Sequence, residues 1–292
     1  MTAVTEPKET ITGSSAPPRH LIVTAYGLYA RSDGGWLSVA SLIRLLADLG
    51  VDEPAVRSAI SRLKRRGILT ARRHEGQAGY ELSAEALAIL REGDARIFRR
   101  QRATLADGWL LAVFSVPESE RHRRHVLRSE LTRLGFGMAA PGVWIVPAHP
   151  QDTTADVLRR LGLDAYADLF RADHLAFGDL AAKVRQWWDL DELQRQYQRF
   201  VQAHEPAMRR WQRDSGQPAG NNSAGDDRDR DAFVDYLRAL TDWRRLPYLD
   251  PGLPTELLPD GWIGSHAADV FFTLRARLAD PAQAHVSRVL GG

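Results

Sequence analysis

The strongest constraint on the fold is a change of hydrophobic period near Gly67. Before this glycine, apolar residues recur every three or four positions, as on helices; after it they follow a strand–turn–strand pattern. The helical stripes are Leu21, Ile22, Ala25, Leu28 and Tyr29, then Leu42, Ile43, Leu45, Leu46 and Leu49, then Val56, Ala59, Ile60 and Leu63. Residues 68–72 and 80–82 read as strands around a turn at 74–79. Three helices and a hairpin within about 65 residues are typical of a winged helix-turn-helix.

The helix ends support this pattern. Ser38 is placed to cap the second helix, and Gly50 to close it. Asp52 is placed to cap the third helix, with Pro54 in its first turn. The sequence therefore predicts a short loop between the second and third helices, as a helix-turn-helix requires.

Charge is concentrated on the third helix and the hairpin. Residues 52–73 contain seven Lys or Arg and two acids, a local charge of +5 on a chain whose net charge is +2. Such a segment is either a solvated charged face or the binding surface for a polyanion. In a helix-turn-helix the second helix of the turn enters the major groove of DNA, which favours the second interpretation.

The outward positions of that helix give a candidate DNA-binding set. Arginine can hold guanine with two hydrogen bonds, and serine can contact either a base or a phosphate. We predict base or near-base contacts from Arg57, Ser58, Ser61 and Arg62. We predict phosphate contacts from Lys64, Arg65, Arg72 and Arg73, the last two through the wing, the hairpin segment at 72–79.

The whole chain is expected to be α+β and mostly helical. We predict a disordered arm over 1–18, a winged-helix domain over 19–83, a linker helix over 84–106, a ferredoxin-like middle domain over 107–177 and a helical C-terminal domain over 178–292 with a flexible insertion at 215–231. The β-α-β order supports the middle domain. The Arg-rich end of the linker helix suggests an exposed position, and the Ser, Gly and Asp content of 215–231 suggests flexibility.

Composition narrows the function. The chain has no cysteine, no apolar run of 18 residues and no signal-peptide core at its start, so we expect a cytoplasmic protein. Neither a catalytic motif nor a metal or cofactor signature stands out. A nuclease built on the middle domain stays an alternative, although Ser115 stands where such enzymes tend to carry an acid and only Glu118 and Glu120 follow.

Several motifs resemble the PaaX-like repressors of phenylacetic acid catabolism. They are Trp-Leu-Ser-Val-Ala-Ser-Leu-Ile at 36–43, Val-Arg-Ser-Ala-Ile-Ser-Arg-Leu at 56–63, Arg-Leu-Pro-Tyr-Leu-Asp-Pro-Gly-Leu-Pro at 245–254, Glu-Leu-Leu-Pro at 256–259, Trp262 with Gly264, and His285 with Val286. The resemblance spans about 19–290, and the insertion at 215–231 departs from a typical member. It implies a winged-helix domain, a ferredoxin-like domain similar to the small CRISPR adaptation protein, and a helical domain. It also implies a homodimer that represses transcription and is released by an aryl-CoA thioester, typically phenylacetyl-CoA.

An aryl-CoA needs an apolar slot for its ring and cationic donors for its phosphates. The C-terminal half offers aromatic and cationic residues for both, and the candidate effector set is Trp187, Trp243, Arg244, Arg245, Tyr248, Trp262 and His266, with Trp188 and Trp211 as further aromatics. Each aromatic could equally be a core residue. We expect the effector between the middle and C-terminal domains. A CoA-ester-processing enzyme and a DNA-binding protein that responds to a partner protein are the competing functions.

Overall fold

The computed structural model describes residues 16–31, 35–99, 102–148, 150–175, 177–213 and 222–291. The described chain divides into two compact units that do not follow sequence order. Unit 1 contains residues from Arg99–Tyr197 and Arg245–Ile263; unit 2 contains the described residues up to Phe98, Gln198–Arg244, and those from Gly264 onward. Of the predicted arm over 1–18, only residues 16–18 are described, and Pro18 already begins a helix.

Unit 2 begins with the winged helix. Its elements are α1 (Pro18–Ala25), which continues as a π-helical turn (Tyr26–Ala30), β1 (Trp36–Ser38), α2 (Val39–Asp48), α3 (Glu53–Arg65), β2 (Leu69–His74) and β3 (Gln77–Leu82). The three strands form an antiparallel sheet in the order β1-β3-β2. The helix–helix–helix–hairpin plan is therefore confirmed. The short strand β1 was not predicted, because three residues are too few to show a period.

The predicted caps are both present. The Ser38 hydroxyl accepts a hydrogen bond from the Ser41 backbone N–H at 2.9 Å, and the Asp52 carboxylate accepts one from Ala55 N–H at 2.8 Å. Each satisfies a donor that the first helical turn leaves without a partner. Along α3, the predicted apolar stripe is buried, which turns the opposite face to solvent.

Unit 2 also contains α4 (Ala84–Phe98), α9 (Asn222–Trp243), α11 (Gly264–Gly291) and the later part of α8 (Leu190–Arg213). The predicted linker helix differs from the structure: α4 ends at Phe98, and this end packs rather than standing free. The Phe98 ring stacks on Phe271 with centroids 6.4 Å apart, and Trp243 Nε1 donates to the Ile97 carbonyl at 3.0 Å. The Arg-rich composition did not reveal these apolar contacts.

The predicted flexible insertion at 215–231 is wrong from residue 222 onward, where α9 has begun. Three of its acidic residues are paired with arginines. Arg230 lies 3.3 Å from Asp227, and Arg288 of α11 lies 2.8 Å from Asp229 and 3.3 Å from Asp226. Residues 214–221 lie outside the described residues.

Unit 1 contains the middle domain: β4 (Trp109–Phe114), α5 (Arg121–Arg133), β5 (Gly137–Ala140), β6 (Val143–Pro147), α6 (Gln151–Arg160) and β7 (Ala167–Ala172). The sheet is antiparallel in the order β5-β6-β4-β7. This β-α-β-β-α-β chain with its first strand at the centre has the ferredoxin-like topology that the sequence predicts. On one face, Leu110 and Val146 pack against Leu127 and Leu131 of α5.

The other face of this sheet carries a second core. Trp109 and Ile145 pack with Val184 of α7 (Leu180–Trp187) and with Leu253 and Leu257. The last two residues belong to the Pro-rich segment at 246–262, which also forms the short helix α10 (Leu246–Leu249). The chain as a whole is α+β and mostly helical, as predicted.

Candidate nucleic-acid interface

All eight predicted DNA-binding residues are exposed. Six lie on α3 and two on β2, and the set is Arg57, Ser58, Ser61, Arg62, Lys64, Arg65, Arg72 and Arg73. On α3 the buried Val56, Ile60 and Leu63 occupy the opposite face. The buried apolar stripe therefore fixes the helix with its polar, cationic face in solvent.

Short-range contacts hold two of these arginines. Arg57 Nε donates to Glu53 Oε1 at 2.7 Å, and Arg62 Nη2 donates to the Ser58 hydroxyl at 2.8 Å. Both are one-turn contacts in solvent, and such contacts contribute little to stability. The two guanidinium groups can therefore exchange these partners for a base or a phosphate at small cost.

The wing is held by an aromatic residue of β1. Trp36 Nε1 donates to the Arg72 carbonyl at 3.1 Å, and the Trp36 ring lies 5.4 Å from the His74 ring. The ring also covers Gly79 so closely that a Cβ there would lie 2.4 Å from it. At the tip, Glu75 and Gly76 have φ values of 48° and 80°, the backbone of a tight two-residue turn. Trp36 thus fixes the strand that carries Arg72.

Arg72 itself bonds to the facing strand. Its Nη1 lies 3.1 and 3.3 Å from the two carboxylate oxygens of Glu81. The Tyr26 hydroxyl, at the end of α1, donates to the Tyr80 carbonyl of the same strand at 2.9 Å. Burial raises the pKa of Tyr26, so this hydroxyl keeps its proton and remains a donor. The wing is therefore anchored to the first helix as well as to β1.

The winged helix is also bonded to the C-terminal helices within unit 2. His285 Nε2 of α11 lies 2.8 Å from Asp48 Oδ2 of α2. Arg238 Nη2 of α9 donates to the Leu49 carbonyl at 3.1 Å, and the buried hydroxyls of Thr241 and Thr24 are 2.9 Å apart. Sequence patterns did not reveal these contacts. The one signal for them was the presence of His285 in the final motif of the family resemblance.

The candidate effector residues are divided between the units. Trp187, Arg245, Tyr248 and Trp262 belong to unit 1, while Trp243, Arg244 and His266 belong to unit 2. Trp187 and Trp262 pack against the same apolar cluster, the one that contains Trp109 and Leu253. Trp187 and Trp188 meet the Trp109 ring with centroids 5.9 and 6.3 Å away. Trp187 and Trp262, two of the predicted effector residues, therefore pack against one apolar cluster.

The candidate effector residues of unit 2 lie in different environments, one in the core and one in solvent. Trp243 is fully buried and stacks on Phe271 with centroids 4.8 Å apart, so its surface is occupied by the core. His266 is exposed, and its Nε2 lies 2.9 Å from Glu205 Oε1. Arg209 and His266 lower the pKa of Glu205 by hydrogen bonding to its carboxylate. Trp211 Nε1 donates to Asp235 at 2.8 Å.

Asp250 holds the Pro-rich segment in place within unit 1. It is buried and accepts hydrogen bonds from the Tyr197 hydroxyl at 2.8 Å and from Gly252 N–H at 2.9 Å. Arg102 Nη2 lies 3.4 Å from the same carboxylate, and Arg102 Nη1 donates to the Leu253 carbonyl at 3.1 Å. From the motif at 245–254 the sequence suggested Arg245 and Tyr248 as functional residues, whereas the buried Asp250 makes the contacts that hold the loop.

The acids that supported the nuclease alternative are engaged in other contacts. Glu118 pairs with Arg124 at 2.9 Å, and Glu120 pairs with Arg123 at 2.7 Å. Glu120 also accepts from the Tyr166 hydroxyl at 2.6 Å, which raises the pKa of Tyr166. Among the described residues, no group of three or more His, Asp or Glu side chains could hold a metal ion. No described helix is long and apolar enough to cross a membrane.

Comparisons with known proteins agree with this architecture. Three family models match in succession: the PaaX-like protein model over 17–86, the PaaX protein central Cas2-like domain over 102–184 and the PaaX-like protein C-terminal domain over 188–288. The transcriptional repressor PaaX of Escherichia coli (strain K12) is 29% identical over 273 residues, which cover 91% of this chain and 82% of that protein.

A solved structure shares the fold. The uncharacterized protein Rv0674 from Mycobacterium tuberculosis aligns with a TM-score of 0.58 and 23% identity, covering 90% of this chain and 97% of that one. The three family models follow each other in the order of the predicted winged-helix, middle and C-terminal segments, and together they span most of the described residues. The chain belongs to the PaaX-like protein family.

Proposed function

We propose that this protein is a DNA-binding transcriptional repressor whose α3 and wing read an operator. The observation that carries the proposal is the exposed cationic face of α3, held in position by a buried stripe on its other side. Arg57 and Arg62 would contact base edges in the major groove, and Arg72 would contact a phosphate through the wing. The relationship to a protein named as a transcriptional repressor supports a repressor role.

We further propose that an acyl-CoA-type effector releases the repressor, with phenylacetyl-CoA as the first compound to test. Trp187 and Trp262 are the candidates for the acyl slot, since they pack against one cluster in unit 1. Arg102 lies over the Trp262 ring at 6.0 Å and Arg245 belongs to the same unit, so both bring positive charge to the segment that carries Tyr248. The phosphates of a CoA thioester would accept charge-assisted hydrogen bonds from such cations.

The mechanism would be a shift of population between two states of a homodimer. In the DNA-bound state the two α3 helices would match half-sites one helical turn apart; in the effector-bound state they would not. To empty an operator nearly completely, the effector must favour the released state by about 5 kcal/mol. The proposal keeps the predicted division of the chain into winged-helix, middle and C-terminal domains.

The test is a fluorescence-anisotropy titration of the DNA upstream of the protein's own coding sequence, at fixed salt, with and without phenylacetyl-CoA. A scrambled duplex of the same composition is the control for nonspecific binding, which depends on salt. We expect tight binding to the upstream DNA that micromolar phenylacetyl-CoA reverses.

The other outcomes separate the parts of the proposal. Tight binding that phenylacetyl-CoA does not reverse would support the repressor function and contradict this choice of effector. Equal affinity for upstream and scrambled DNA, followed by failure to select any sequence from a random pool, would contradict operator recognition. Hydrolysis of the thioester during the titration would favour the enzyme alternative.

A further inference from the structure

The outer face of α5, in the middle domain of unit 1, is cationic. Leu127 and Leu131 are fully buried against the sheet, and they fix which side of the helix faces solvent. The six side chains on the opposite side span roughly a third of the helix circumference, since each residue advances by about 100°. We call this set the α5 basic face: Arg121, His122, His125, Arg128, Ser129 and Thr132.

The α5 basic face contains no carboxylate, and the acids beside it are occupied. Each acid of the segment 118–133 lies 2.7–2.9 Å from an arginine outside the face: Glu118 from Arg124, Glu120 from Arg123, and Glu130 from Arg133. Among the described residues, no carboxylate pairs with Arg121 or Arg128. Arg128 Nη2 donates to the Met138 sulfur at 3.7 Å, and a thioether is a weak acceptor. Both guanidinium groups therefore remain available to an anion.

The shape of this face suits an extended polyanion. Arg121, His125 and Arg128 follow each other at one-turn spacing, and the two arginines are about 10.5 Å apart along the helix axis. Duplex DNA carries one charge per about 1.7 Å of its axis, so a face of this length can meet several phosphates. Small ligands, in contrast, bind in concave pockets, and the outer side of a helix is convex.

The composition of the face favours DNA over a membrane surface. A helix that lies on a membrane carries large apolar side chains next to its cations, whereas this face has Ser129 and Thr132. Serine and threonine hydroxyls and histidine N–H groups donate to phosphate oxygens. A protein that holds DNA through α3 and the wing already has a duplex as its polyanionic partner.

We propose that the α5 basic face binds the phosphate backbone of DNA, as a second contact surface in addition to α3 and the wing. The inference rests on the DNA binding in the proposed function and extends it to the middle domain. Arg121 and Arg128 supply the positive charge, and the histidine and hydroxyl side chains supply further donors. Because phosphates are the same in every sequence, this contact adds affinity without base preference.

The salt dependence of binding tests the charges. Arg121→Ala/Arg128→Ala should lower the slope of log affinity against log salt by about 2, because each lost phosphate contact changes it by about 0.9. The decrease should be the same for the upstream and the scrambled duplex. Arg121→Lys/Arg128→Lys keeps both charges and should retain most of the slope. Circular dichroism before the titrations checks that each variant is folded.

The matched control lies on the other face of the same sheet. Helix α7 packs against that face through Val184, with Trp109 and Ile145 of the sheet. Lys183→Ala/Arg185→Ala on α7 also removes two positive charges from unit 1, so it changes the net charge by the same amount. We expect this variant to have the slope of the wild type.

Cross-linking tests the contact itself. The chain has no cysteine, so one introduced thiol can carry a photoreactive group at a single known position. His125→Cys, at the centre of the α5 basic face, should form a covalent adduct with either duplex on irradiation. Arg185→Cys on α7 is the control and should form much less adduct.

Each result decides the proposal. Equal slopes for the wild type and Arg121→Ala/Arg128→Ala, an equal fall in both alanine double variants, or equal cross-linking from positions 125 and 185 would overturn it. So would a lysine double variant as weak as the alanine one, or a wild type that binds neither duplex. A fall confined to Arg121→Ala/Arg128→Ala supports it, even if the upstream and scrambled duplexes bind alike. Failure of the α5 contact is therefore separate from failure of operator recognition.

Discussion

At the scale of single residues, α3 places buried apolar side chains and exposed cations on opposite faces of one helix. Val56, Ile60 and Leu63 fix the helix, while Arg57 and Arg62 remain in solvent with replaceable partners. The sequence alone could identify this surface, since burial on a helix follows from the spacing of apolar residues. It could not identify the local partners of the arginines, because those depend on side-chain rotamers.

Arg62 and Arg72 are predicted to differ in what they read. Arg62→Ala should weaken operator binding by about 1–3 kcal/mol and relax base preference at one position, as expected for loss of a guanine contact. Arg72→Ala should weaken operator and scrambled DNA alike and lower the slope of log affinity against log salt by about 1. The measurement is the anisotropy titration over a salt series. Unchanged operator affinity for Arg62→Ala would show that another part of α3 faces the bases.

Asp250 is predicted to stabilise unit 1 strongly. Asp250→Ala leaves the Arg102 charge, the Tyr197 hydroxyl and the Gly252 N–H without their shared acceptor, and loss of one member of a buried pair costs about 3–5 kcal/mol. Urea unfolding followed by Trp fluorescence measures the change. Asp156→Ala is the control, because Asp156 pairs with Arg159 in solvent, where loss should cost less than about 1 kcal/mol. Equal midpoints for the two variants would contradict the role given to Asp250.

At the scale of elements, the sequence predicted those that are long and periodic and missed those that depend on distant contacts. The helices α2 and α3 with their caps, and the strands of the middle domain, follow from local patterns. Strand β1 forms because its residues pair with β3. The start of α9 is helical where its acids pair with arginines, and one of these, Arg288 of α11, lies at least 59 residues further along the chain. The spacing of residues along one segment carries no information about such partners.

The wing is predicted to require a glycine at position 79. A Cβ there would lie 2.4 Å from the Trp36 ring and 2.5 Å from the Leu37 carbonyl, so the strand pair must shift. Gly79→Ala should destabilise the protein by at least about 1–3 kcal/mol, as overpacking does, and should weaken binding to all DNA through the displaced Arg72. Thermal unfolding and the salt series measure both effects.

Gly225→Ala is the matched control for the wing. Gly225 lies in α9, where an added Cβ would meet no atom within 4 Å, and alanine is favoured over glycine in helices by about 1 kcal/mol. We expect unchanged or slightly higher stability and unchanged DNA binding. If both glycine variants behaved alike, the close approach of Trp36 to Gly79 would not matter to the wing.

At the scale of the whole molecule, the winged helix shares one compact unit with helices from the far end of the chain. His285 bonds to Asp48, and α9 bonds to the loop after α2 through Arg238. A change in the C-terminal helices can therefore reach α2 and the loop before α3 through direct contacts. The resemblance suggested three domains in sequence order; hydrophobic periodicity could not show that the first and last segments share a core.

This shared core predicts joint changes in hydrogen exchange. His285→Ala should speed amide exchange in peptides from both α2 and α11, because it removes the bond to Asp48 and a buried ring beside Phe233. His266→Ala, on the same helix but exposed and facing Glu205 of α8, should leave α2 unchanged. Mass spectrometry of the exchanged protein measures both variants. An effect of His285→Ala confined to α11 would indicate that the winged helix is stable alone.

The discontinuous course of unit 2 has a consequence for synthesis. The ribosome makes α2 and α3 early, but the contacts of α2 with α11 can form only after residues Gly264–Gly291 have emerged. A nascent or prematurely terminated chain thus lacks the partner for Asp48 and the helix that packs against Trp243. The full set of contacts around α2 therefore requires α11, which is made more than 200 residues after it.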